Sequence, residues 1–184
     1  MILLLLGFII LLPILGLLLY KHSKLTGAIF ISFPLVLVVL LVGWWIVATN
    51  HYFVYSTNLE NESIGEYRLH ETLRKDDLNR FGSYQKREND NGYSYDYKDL
   101  FLSTDSENQI VSLSAKSQPI ETSSGLKIGD TIERAKLIYG DHYYSYREMG
   151  LGKGWVYVDR NNKYMLTLWT KDDQTVENIW LSVY

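Results

Sequence analysis

The chain has 184 residues, a formal net charge of −3 and no cysteine. It therefore forms no disulfide, thiolate nucleophile or sulfur-ligated structural zinc site, and it lacks the basic footprint that nucleic-acid binding requires. Residues 1–49 are almost wholly apolar, with Lys21, His22 and Lys24 as their only charge-bearing side chains, whereas the chain from Asn50 onward is polar and rich in tyrosine.

Ile2 to Tyr20 carries no charge. As a helix it would span about 28 Å, close to the hydrocarbon thickness of about 30 Å. Gly27 to Thr49 is a second such run, and Gly7, Pro13, Gly16 and Pro34 are tolerated in membrane helices, where neighbouring segments re-satisfy the backbone. The reading is a transmembrane hairpin over residues 1–49, with spans at 2–20 and 27–49 joined by KHSKLT. A cleaved signal peptide would want a basic start, a shorter apolar core and a small-residue cleavage site, and MILLLL has no basic side chain. A lipoprotein anchor is not expected without a cysteine to acylate.

Lysines beside membrane helices favour the cytoplasmic side. Lys21 and Lys24 thus place the N-terminus and everything after Thr49 outside, in a two-pass topology in the cytoplasmic membrane. Trp44, Trp45, Tyr52, Phe53 and Tyr55 read as an interfacial aromatic belt, or alternatively as helix-packing residues.

Residues 50–63 form a polar linker, and roughly 125 residues then remain, enough for one core. YSYDY (93–97), IVSL (110–113), WVYV (155–158), YMLTLW (164–169) and IWLSVY (179–184) alternate with period two and read as strands. The links NDNG, TDSEN, RNN and KDDQ carry turn chemistry. Strands joined by such short links are antiparallel, which gives two meanders.

A helix is expected before each meander. In GDTIERAKLIYG, Asp130 caps, Glu133 reaches back in a capping box, Ile132, Ala135 and Tyr139 recur at helical spacing, and Gly140 terminates. In ETLRKDDLNRFG, Thr72 caps and Gly82 stops the helix. Thr72, Phe81 and Gly82 align with Asp130, Tyr139 and Gly140 at one offset, so the fold class is α+β with an internal duplication: a first repeat at 64–118 and a second at 119–184.

GLKIGDTIERAKLIYG followed by aromatic antiparallel strands resembles the helix-and-sheet units of the β-lactamase-inhibitor-protein-like and SmpA/OmlA-like outer-membrane-lipoprotein group, including the surface-domain versions of Gram-positive bacteria. The resemblance covers one repeat closely and the other weakly. It implies an interaction module of the bacterial envelope, not a reaction.

GLGKG at 150–154 lacks the Gly-Lys-Ser/Thr ending and the helix that a phosphate loop needs, and reads as a hairpin tip. His70-Glu71 has no second histidine four residues on, no serine sits in Gly-x-Ser-x-Gly, and the acidic clusters lack calcium-loop spacing. No catalytic residue, cofactor or metal ligand is therefore assigned. The 15 tyrosines and 5 tryptophans stand out. Tyr93 and Tyr95 share one face, as do Trp155 and Tyr157; that face is either the sheet core or an aromatic surface for a partner. The expected function is a membrane-anchored, non-enzymatic protein-binding module, with membrane lipid and an envelope protein as partners. The alternatives are an accessory subunit acting through its membrane helices, or an immunity or inhibitor protein against an extracellular toxin or hydrolase.

Overall fold

The structure, a computed structural model, describes residues 2–49, 51–80, 82–117, 119–150 and 152–184. The chain forms two units, Met1–Thr49 and Asn50–Tyr184.

The first unit is a pair of helices, α1 (Ile2–Tyr20) and α2 (Lys24–Thr49). Among the described residues one helix is long and apolar enough to cross a membrane, Lys24–Val47; the corresponding stretch of α1, Ile9–Tyr20, is shorter. By length and composition this supports one span where the sequence suggested two. The second helix also starts inside KHSKLT, three residues earlier than expected. Ser23 explains the earlier start, because its Oγ accepts the Thr26 N–H at 3.4 Å and the Thr26 hydroxyl at 3.0 Å. Leu18, Leu25 and Leu35 are each about two-thirds exposed or more, which is the pattern of helices surrounded by an apolar medium.

Gly16 and Gly27 set the approach of the two helices. A Cβ on Gly27 would lie 2.6 Å from Tyr20 Cα and 2.8 Å from the Gly16 carbonyl oxygen, and one on Gly16 would lie 2.8 Å from Ile31 Cγ1. Gly16 and Gly27 thus share one close contact, and the surroundings of Gly7 lie outside the described residues. Gly27→Val should force the helices apart. Disulfide trapping between cysteines introduced at Leu12 and Phe30, which border one cleft, should be efficient in the parent and lost in the variant.

The second unit is built on one eight-stranded antiparallel sheet. Its strands are β3 (Tyr84–Asn89), β4 (Gly92–Tyr97), β5 (Leu100–Asp105), β6 (Ile110–Ala115), β7 (Tyr144–Glu148), β8 (Gly152–Asp159), β9 (Tyr164–Thr170) and β10 (Val176–Val183). A two-stranded ladder of β1 (Ser63–Ile64) and β2 (Tyr67–Arg68) precedes them. The spatial order is β3-β4-β5-β6-β10-β9-β8-β7. Each half is a meander, as the short links dictate, and the last strands of the two halves pair antiparallel at the centre. Edge strands β3 and β7 are missing from the sequence reading: YQKREN and YSYRE expose most of their side chains, so alternation is weak.

Register lines up Tyr95, Leu102, Leu113, Leu181, Leu166 and Tyr157 across six strands. All six are at most 4% exposed. Helix α3 (Ile132–Tyr139) covers this face through Ile132, Ala135 and Tyr139, together with Leu59, Ile64, Tyr67, Leu69 and Leu126.

Two helix assignments need correction. The α3 cap is Thr131, whose Oγ1 accepts the Arg134 N–H at 3.2 Å. Asp130 instead accepts the Lys127 N–H at 2.8 Å and pairs with Arg134, and Glu133 pairs with Lys136, so no capping box forms. Gly140 does end the helix, at φ 87°. The segment around Thr72 is not an α-helix. Thr72 bridges to Gln109, the Leu73 N–H donates to Asn108, and only a 3-10 turn at Asp77–Asn79 follows. The backbone is already extended along the β5–β6 turn where the first helical turn would begin. Phe81, the expected counterpart of Tyr139, lies outside the described residues.

The connector at 50–63 is tied to the domain. The Thr57 N–H donates to the Val158 carbonyl at 2.8 Å, and Leu59 is 1% exposed. Glu62, also buried, accepts from both the Ser124 N–H (3.1 Å) and the Ser124 hydroxyl (2.6 Å).

Candidate functional site: the open sheet face

The four residues singled out from the sequence do share one face, and it is the covered one. Tyr95, Trp155 and Tyr157 are 4%, 8% and 1% exposed. Tyr93 is half-buried, with Lys86 Nζ 3.6 Å above its ring. Trp155 packs on Tyr143 at 4.9 Å and donates from Nε1 to Thr170 Oγ1 at 3.2 Å, while Tyr157 lies 5.3 Å from Tyr139. These contacts build the core and leave little surface to meet a partner.

The phenols there are also chemically quiet. Burial, followed by the charge of Asp77, pushes Tyr67 up to about 12, and burial, followed by neighbouring tyrosines, does the same for Tyr97. Burial likewise raises Tyr157 and Tyr139. Tyr97 and Tyr67 donate to the carbonyls of Leu78 and Asp77 at 2.9 and 3.1 Å. Protonated donors of this kind hold loops in place and do not act as bases at neutral pH.

The opposite face carries other aromatics. Phe101 pairs in register with Ser114, Ser114 with Trp180, Trp180 with Thr167, and Thr167 with Val156. One step along the strands Asn178 faces Trp169, Trp169 faces Gly154 and Gly154 faces Tyr146. A Cβ on Gly154 would lie 3.1 Å from the Tyr146 ring. The bare glycine lets Tyr146 lie across the sheet and meet Trp169 edge-on, at 5.4 Å. Thus Gly154, part of the GLGKG string, serves an aromatic contact in the β7–β8 hairpin.

Phe101, Ser114, Lys116, Trp169, Glu177, Asn178 and Trp180 line a shallow depression of about 580 Å³ on this face. Trp180 is 42% exposed and anchored at one end, its Nε1 donating to Ser112 Oγ at 2.6 Å. The Ser114 hydroxyl donates to Asn178 Oδ1 at 3.1 Å. Lys116 pairs with Asp96 and also donates to the Tyr97 carbonyl at 3.2 Å; Glu177 pairs with Lys171. The floor is aromatic and the rim carries paired charges, an arrangement that binds by burying area and aligning a polar rim. Among the described residues no group of three or more histidine or acidic side chains could hold a metal ion.

Fold and face together define an α+β domain with one covered and one open aromatic sheet surface. No protein-family model, curated protein or solved structure matches the chain.

Proposed function

We propose that the chain is a membrane-anchored, non-enzymatic binding module whose open sheet face, centred on Trp180, Trp169 and Phe101, receives a protein partner in the cell envelope. The observation that carries this reading is the coincidence of partly exposed tryptophans with an aromatic depression on an otherwise hydrogen-bonded sheet. Tryptophan is enriched at the energetic centres of protein interfaces. The paired four-strand meanders are compatible with a duplicated unit and with the resemblance to β-lactamase-inhibitor-protein-like domains. Membrane anchorage rests on apolar α2, and the placement of the domain outside rests on Lys21 and Lys24 at the N-terminal end of that span. Gly16 and Gly27 are occupied by the contact between α1 and α2, which favours the domain over the helices as the partner-binding element.

Two measurements test this. A photoreactive residue at position 169 should capture one defined protein in living cells, whereas the same residue at Glu133 on α3 should not; equal capture from both positions would defeat the assignment of the face. Ser106→Cys, in the exposed β5–β6 turn, should be labelled by an impermeant thiol reagent on intact cells. Labelling only after lysis would move the domain to the cytoplasm.

A further inference from the structure

Immediately after α2 the chain presents three exposed aromatic side chains: Tyr52 is 68% exposed, Phe53 58% and Tyr55 73%. Their backbone is held by the sheet domain. The Arg160 guanidinium, in the β8–β9 turn, donates to the carbonyls of His51, Tyr52 and Val54. The Arg160 N–H donates to Ser56 Oγ at 3.0 Å, and the His51 ring lies 5.0 Å from that of Tyr184. Carbonyls are thereby spent on the domain; the Tyr55 ring rests against that of His142 at 4.9 Å, and all three aromatic side chains stay more than half exposed. Chain length limits where this patch can be. Helix α2 ends at Thr49, and the step to Tyr52 spans at most about 10 Å of extended chain. Tyrosine and phenylalanine, with little charge to repel, suit the headgroup level where a span ends.

We propose that Tyr52, Phe53 and Tyr55 form a docking surface for the phospholipid headgroup interface, and that Arg160 makes this surface part of the sheet domain. The domain then rests on the bilayer in one attitude instead of swinging on a tether. The proposal rests on the membrane reading above. It turns the β8–β9 turn toward lipid and the β7–β8 hairpin tip at Met149 away from it, separated by the length of β8, about 25 Å. Arg160 is a positioning residue here: it acts through the segment it holds.

The test uses the full chain in phospholipid vesicles containing a headgroup-chelated nickel relaxant, with a nitroxide at Asn161→Cys or Met149→Cys, both exposed positions. Relaxation should be several-fold stronger at position 161 than at 149. Arg160→Ala should bring the two toward equality with an unchanged far-ultraviolet circular dichroism spectrum. The double variant Tyr52→Ser/Phe53→Ser, altering exposed side chains only, should do the same. Equal relaxation at the two sites in the parent, or a ratio untouched by the variants, overturns the docking surface alone. Release of the parent chain from vesicles by alkaline carbonate overturns the membrane reading and this inference with it.

Discussion

Replacing Asp159 by alanine should destabilise the sheet domain by about 3 kcal/mol, the cost of leaving buried donors unpaired, and lower its melting temperature by on the order of 10 °C. Asp159 sits at the end of β8 and is 1% exposed. Its Oδ2 accepts the Leu59 N–H at 2.8 Å and Asn162 Nδ2 at 2.9 Å; its Oδ1 accepts the N–H groups of Asn161 and Asn162 at 3.0 and 3.1 Å. One carboxylate therefore closes the β8–β9 turn and also ties the connector, 100 residues away in sequence, to the sheet. Burial works against its charge, but the bonds from Asn162, Leu59 and Asn161 outweigh burial and hold its pKa below the usual carboxylate value. A group whose folded pKa is depressed contributes stability that is fully present above its unfolded pKa, near 4, and that is lost as pH falls through the folded value. Asp172, drawn down to about 2 by the N–H groups of Thr175 and Gln174, acts with the same sign. Urea midpoints of the full chain in micelles should thus hold from neutrality to about pH 5 and decline below it, with a flatter decline in Asp159→Ala. A loss under about 1 kcal/mol would mean that Asn162 and water replace the carboxylate.

The second large effect separates the two faces of the sheet. Tyr157→Ala should cost about 4 kcal/mol, as expected for deleting a buried aromatic ring, because Tyr157 is 1% exposed among Tyr139, Tyr143 and the central leucines. Trp180→Ala should stay within about 1 kcal/mol of the parent, since the ring is 42% exposed. It should nevertheless lower capture from position 169 to under about a tenth, in line with the loss of an interface anchor. Urea midpoints and cross-linking yield, read on the same two variants, give opposite rankings if the open face binds. Equal capture by Trp180→Ala and the parent would remove Trp180 from the partner surface.

The strands that the sequence reveals all have at least one covered side. IWLSVY is an instance: Ile179 and Leu181 alternate with Trp180, and the structure places the first two in the core and the third outside. The same period carries Phe101 beside Leu102 and Trp169 beside Leu168. The aromatic floor of the open face was therefore legible as the second half of each alternation. The tyrosine-rich strands point instead to Tyr93, Tyr95, Trp155 and Tyr157. An aromatic ring on a strand is equally suited to a core and to an interface.

By itself the sequence determined much of what depends on neighbours a few residues apart, though not the α3 cap, where Thr131 stands in place of Asp130. The apolar helices, the period-two strands, the antiparallel links, the Gly140 helix stop and the hairpin character of GLGKG are all of this kind. Tertiary structure decided the rest. Leu59, the β1–β2 ladder and α3 settled which sheet face is buried, because they reach it from distant parts of the chain. The β6–β10 pairing joined the two meanders through residues more than 60 positions apart. At Thr72 a bridge to Gln109 overrode a local helix pattern. Local propensity is worth tenths of a kcal/mol per residue, whereas burying one aromatic or aliphatic side chain is worth about 1.5–3 kcal/mol. Where the two disagree, the long-range contact prevails.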